Sequence, residues 1–129
     1  MAPLAKNTPR TRVGEGRRFV NPVAADTWIF NGSMVALDAS GNALPAAPTG
    51  TVMRGVALDE ADNTGGAAGD ITVETDRGPF LVANDGSLDR TDIGADVYVV
   101  DDNTVGDAGT LIAGKCLDVV DAGVVVEIL

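Results

Sequence analysis

Residues 50–62, GTVMRGVALDEAD, recur without a gap as residues 109–121, GTLIAGKCLDVVD. The shared frame is G-T-[VL]-x-x-G-x-x-L-D-x-x-D. Each copy follows a Gly-led apolar run that closes on Asp, residues 32–38 and 94–101. Each precedes, after a glycine, a β-rich run ending in Glu, residues 69–74 and 123–127. Residues 32–76 and 94–128 therefore read as two copies of one β-unit. Two copies are too few for a solenoid, which needs at least three to bury a continuous core. The expectation is a small barrel built from two similar halves.

Composition agrees with that reading. Sixteen glycines punctuate short Val-, Ala-, Leu- and Ile-rich runs, and aromatics make up only 4% of the 129 residues. Such a chain forms one all-β domain with many tight turns. Strands are expected over 27–30, 33–37, 51–58, 71–74, 80–83, 97–100, 110–120 and 124–129. Residues 44–50, 59–70 and 84–92 read as loops, and no segment carries helical periodicity.

Charge is divided unevenly along the chain. Residues 1–21 hold Lys6, Arg10, Arg12, Arg17 and Arg18 against Glu15 alone, a net +4, so the remainder carries −14 within the total of −10. A basic segment on an acidic body is the pattern of an interaction arm. Pro3, Pro9 and Pro22 deny residues 1–22 regular hydrogen bonding and leave them disordered or extended on their own, with 23–129 as the barrel domain. Arg forks bind carboxylates bidentately, and Phe19 with Val20 supplies an apolar anchor beside them. The acidic body argues against nucleic acid as its partner, because phosphates repel it.

Several chemistries are excluded or weakened by residue type. Histidine is absent, so neither a Ser-His-Asp nor a Cys-His constellation can be built. Cys116 stands alone, without a disulfide partner or a Cys/His metal set, and reads as a small core residue. No apolar h-region or membrane-length run is present. Gly109 to Cys116 imitates a phosphate loop, but Cys116 lacks the hydroxyl that Mg²⁺ needs and an apolar β-run replaces the cradle. Asp59/Glu60/Asp62, Asp85/Asp89/Asp92 and Asp101/Asp102/Asn103 suggest calcium. Counted from Asp101, however, the twelfth position is Ile112 rather than a bidentate Glu. These carboxylates read as solvated turn residues, and no cofactor or metal is expected. Asn31-Gly32-Ser33 reads as a turn rather than a glycosylation site.

Gly55-Val-Ala-Leu-Asp59, the Gly-rich acidic loop after it, Ile71-Thr-Val-Glu-Thr75 with Gly78 and Phe80, and residues 93–101 and 114–129 follow one order. In that order the chain resembles the tailed-bacteriophage capsid cement, or head decoration, proteins of the DUF2190 family. The resemblance implies a β-barrel or β-tulip-like domain and a structural rather than enzymatic role. It further implies a homo-oligomer, often a trimer, on the outer surface of the expanded shell, made in the bacterial host cytoplasm. There it clamps adjacent major capsid proteins. On this reading Lys6, Arg10, Arg12, Arg17, Arg18 and Phe19 form the capsid-binding arm, and Trp28 and Phe30 an intersubunit contact. The rival classes are a nucleotide-binding accessory factor acting through residues 109–116 and a host-surface adhesion module.

Overall fold

The computed structural model describes residues 3, 5–7, 9 and 16–128. Among them are twelve strands, one 3-10 turn at Arg90–Asp92 and no α-helix. The chain is all-β. One five-stranded antiparallel sheet takes the order β1 (Arg18–Pro22), β7 (Thr72–Asp76), β5 (Val52–Ala57), β3 (Met34–Leu37), β4 (Ala43–Pro45). A lone parallel bridge, Val23 to Ala43, joins the two edges of this sheet. The second sheet is a closed barrel of β8 (Gly78–Asn84), β12 (Gly123–Ile128), β11 (Ile112–Val120), β9 (Asp96–Val99) and β10 (Thr104–Gly106). Two short strands, β2 (Trp28–Ile29) and β6 (Ala61–Asp62), pair with each other.

Pair by pair, the two sheets share one wiring. Met34, Val35 and Ala36 face Val56, Gly55 and Met53, with a bulge opposite the step from Val35 to Ala36. Asp96, Val97 and Tyr98 face Lys115, Gly114 and Ile112, with a bulge at the same place. Val56 opposite Asp76 is repeated by Lys115 opposite Glu127, and Phe19 opposite Thr75 by Phe80 opposite Val126. The Val23–Ala43 bridge is repeated by the parallel pair Asn84–Val105. The repeat is thus longer than its sequence signal, running from β1 to β7 and again from β8 to β12. Each copy wraps its own five strands instead of supplying half of a single barrel: the second closes fully, and the first rolls up until the Val23–Ala43 bridge joins its edges. The likeness of the opening strands is hidden in the sequence because RFVNP and PFLVA share only Phe19 and Phe80.

The repeated spacing of glycines inside the frame has a steric cause. A Cβ on Gly55, whose φ is +140°, would lie 2.5 Å from the Asp76 carbonyl oxygen, and one on Gly114 would lie 2.1 Å from that of Glu127. At Gly50 and Gly109 a Cβ would come within 2.8 Å of the Cβ of Ala36 and of Tyr98. At these four positions the chain passes too close to its neighbours for a side chain.

Two apolar cores result. Val23, Val35, Ala43, Ala57 and Val73 fill the first barrel, with Ile29 and Ala61 from the β2–β6 pair. The second core joins the interior of the second barrel (Val97, Val99, Val105, Cys116, Val124, Val126) to Met34, Ala36, Met53 and Val56, which point outward from the first. Fully burying a side chain of this size stabilises by about 1.5–3 kcal/mol, so the shared core welds the barrels together. Met34 N donates to Asp102 O at 2.8 Å, Ser33 Oγ to Asp102 Oδ2 at 3.0 Å and Thr110 Oγ1 to Pro48 O at 2.8 Å across the same junction.

Three expectations shift at the element level, the first being that residues 59–70, read as a loop, include the strand β6 held on β2. Residues 44–50 include the end of a strand, since Ala43–Pro45 pairs with β3, and Pro45 sits at the strand's end where its missing N–H is tolerated. Arg18–Pro22, read as the end of the arm, is the strand β1.

Candidate functional site

Strand β1 carries the root of the arm. Arg17 Nη2 lies 3.4 Å from Asp76 Oδ2, and Asp76 is buried, with no hydrogen-bond partner for its Oδ1 among the described residues. Arg18 Nη1 is 3.8 Å from Glu74 Oε1, both well exposed, so this pair adds little. Phe19 turns inward and lies beneath the Arg54 guanidinium, 4.0 Å from its carbon to the ring centroid. Arg54 Nε donates to Asn21 Oδ1 at 2.6 Å, and Asn21 Nδ2 donates to Thr75 Oγ1 and to Val73 O, both at 3.1 Å. Of the expected anchor, Phe19 is therefore half-buried in its own barrel, while Val20 is exposed. Lys6 is exposed, and Arg10 and Arg12 lie outside the described residues.

Asn21, Arg54 and Thr75 are absent from the sequence-based site. The second barrel places Val82, Ala113 and Val126 at the same three positions. A charged residue in one copy of the frame (VMRG) against Ala in the other (LIAG) was the available signal. It could be read only once the repeat was known to extend back to β1.

Trp28 and Phe30 stand out from the same barrel, 47% and 57% exposed, their ring centroids 5.5 Å apart at 34°. Trp28 Nε1 donates to Glu60 Oε2 at 3.0 Å. Glu60 in turn belongs to the wall of a cleft of about 420 Å³ formed with Val20, Leu58, Asp59, Thr72, Val73 and Glu74. A smaller cleft of about 210 Å³ lies where the barrels meet, lined by Phe30, Asn31, Gly32, Ser33, Asp102 and Asn103. The arm root, the acidic cleft and the aromatic pair are thus linked along one side of the first barrel, through Glu74 and Glu60.

The phosphate-loop imitation and the acidic clusters resolve into structural roles. Within residues 109–116, Gly114 and Lys115 are paired strand residues of β11 and the chain continues as strand. A phosphate cradle requires exposed loop amides and a following helix, neither of which this segment provides. Lys115 Nζ instead contacts Asp96 Oδ1 at 2.7 Å. Asp62, Asp85 and Asp89 each cap the turn that follows, accepting the hydroxyl and the N–H of Thr64, Ser87 and Thr91. The hydroxyl donor first, and the N–H second, hold these carboxyls below the usual carboxylate range. Among the described residues, no group of three or more His, Cys, Asp or Glu converges as a metal site. Cys116 is fully buried, and burial, then the nearby Asp92 charge, pushes its thiol pKa up. Such a thiol is a poor nucleophile.

Comparison with protein-family models, curated proteins and solved structures finds no match to this chain. The site must be interpreted from its own geometry.

Proposed function

We propose that this chain is a capsid cement protein, binding the outer surface of a mature phage head and clamping adjacent major capsid proteins. The observation that carries the reading is the root of the basic segment. Arg17 on Asp76 and Phe19 under Arg54 tie the root of the basic segment to the β-body. A fixed root lowers the ordering cost when the arm docks on a partner. Acidic or carbonyl-rich grooves between capsid subunits suit its Arg and Lys side chains. Weak contacts by many copies add to a strong layer. In the same reading Trp28 and Phe30 contact a second copy of the chain, as in a trimer, and the protein has no catalytic task.

The test is co-sedimentation with expanded shells lacking this protein, using the full chain and a chain that starts at Gly16. Starting at Gly16 rather than at Val23 preserves β1. Saturable binding that is lost or sharply weakened without residues 1–15 supports both the cement role and docking through the arm. Binding that survives the truncation moves the contact to the barrels, and no binding by either chain ends the cement reading.

One observation favours a second reading, adhesion to a surface saccharide: an exposed aromatic pair adjoins the cleft holding Asn31, Asp102 and Asn103. Trp28 is the chain's single tryptophan. Quenching of its fluorescence by purified host lipopolysaccharide or capsular polysaccharide would support adhesion, and an unchanged spectrum would remove it.

A further inference from the structure

The two barrels share one fold, yet the same outer face is treated in opposite ways. In the first barrel Met34, Ala36, Met53 and Val56 project from β3 and β5 and are buried beneath the second barrel. In the second barrel the register puts Asp96, Tyr98, Ile112 and Lys115 at those four positions on β9 and β11. There Asp96 and Lys115 form a 2.7 Å ion pair with side chains 37% and 50% exposed, and Ile112 is 47% exposed.

The complementary side of the junction shows the same asymmetry. Leu111 is buried against the first barrel, its Cδ2 3.1 Å from where a Cβ on Gly50 would sit. Its counterpart in the first barrel, Val52, faces Leu37 as Leu111 follows Val99, and is 51% exposed. Each molecule therefore leaves exposed a counterpart of the β3–β5 face on its second barrel and, in Val52, a counterpart of Leu111 on its first.

We propose that the outer face of β9 and β11 is a blocked copy of the surface that joins the barrels. Asp96, Lys115 and Tyr98 stop a second molecule from docking its Val52 side there. Head-to-tail contacts that do not close make open filaments, and stacked repeats need a terminal unit with a polar outer face. Docking over Asp96 and Lys115 would strip water from both charges, which their mutual attraction does not fully offset. Tyr98 adds a steric stop: Gly109, the counterpart of Gly50, already lies under its ring, with Cγ 3.4 Å from the position of an added Cβ. Where Leu111 and Ala36 both close on Gly50 in the internal junction, an incoming Val52 would meet the tyrosine. This inference stands apart from the capsid reading and does not require it.

The test restores the first barrel's residues in the second. The full chain carrying D96M, Y98A and K115V is compared with the parent by sedimentation velocity over a concentration series. The expected result is a mass that rises with concentration above the parent's and returns to the parent's when V52E is added. Val52 is exposed in the parent, so V52E alone should leave the parent's mass and melting unchanged. Far-UV circular dichroism checks folding, and if the triple variant does not fold, D96M/K115V replaces it. A folded variant with the parent's mass throughout overturns the proposal. So does association that V52E leaves intact, because that contact would not be the repeated interface.

Discussion

At the scale of single residues, the side chains that matter most sit where the backbone leaves no choice. Gly55→Ala and Gly114→Ala drive a methyl into the facing carbonyl, and each is expected to cost on the order of 3 kcal/mol or more in urea unfolding. Arg54 is less constrained but more connected. Arg54→Ala removes the stack on Phe19 and the donor to Asn21, with an expected loss of about 1–3 kcal/mol. Arg54→Lys should recover only a fraction of it, since an ammonium has no plane to lay on the ring. Cys116, buried with a raised pKa, should react with a thiol reagent only at the rate at which the protein opens. Labelling of the native protein as fast as that of the urea-unfolded chain would show the thiol exposed. Gly55 and Gly114 were visible in the sequence as a repeated spacing, though their reason, a carbonyl across the ladder, required the register. Arg54 was hidden because its partners Phe19 and Asn21 lie far away in the chain.

At the scale of elements, turns and strand ends set the response to acid and to truncation. Asp62, Asp85 and Asp89 have folded-state pKa values below their unfolded ones. Unfolding therefore takes up protons in acid, and the stability these caps contribute is fully present above the unfolded value of about 4 and lost as pH falls through the folded values. The melting temperature should change little from these groups between neutral pH and about pH 5, then fall, with a shallower fall in a D62N/D85N/D89N variant. A chain starting at Val23 strips β1 from β7 and should melt well below the full chain. Strand existence was largely legible in the sequence: β3, β5, β7, β8, β9, β11 and β12 fall where alternating or β-branched runs stand between turn residues. Most of the short strands were not. Ala43–Pro45 and Arg18–Pro22 contain prolines that argue against strands unless an edge position is known, and Ala61–Asp62 and Thr104–Gly106 are held by tertiary pairing rather than by pattern, whereas Trp28–Ile29 falls inside the run expected as a strand over 27–30.

At the scale of the whole molecule, the barrels are separate in wiring and joined in packing. Only Arg77 lies between β7 and β8, and the larger core draws on both barrels. Calorimetry should show one cooperative transition, with calorimetric and van't Hoff enthalpies in agreement. A fragment ending at Arg77 would expose Met34, Ala36, Met53 and Val56 together and should aggregate, while two resolved transitions would mean the shared core is weaker than its burial suggests. The sequence announced two units but not which faces they share, because Met34 and Asp96 look unrelated until a ladder places them side by side.

The setting of β1 also decides how the chain answers a mechanical load. A pull on the segment ahead of Arg17 is received by five registered pairs, Arg18–Asp76 to Pro22–Thr72, and by the Arg77 N–H held on the Arg17 carbonyl at 2.8 Å. Drawn along the strand axis, those pairs resist together in shear. Drawn outward from the sheet, they break in succession, beginning at Arg18. The direction of the pull makes the same segment a tether or a tear strip.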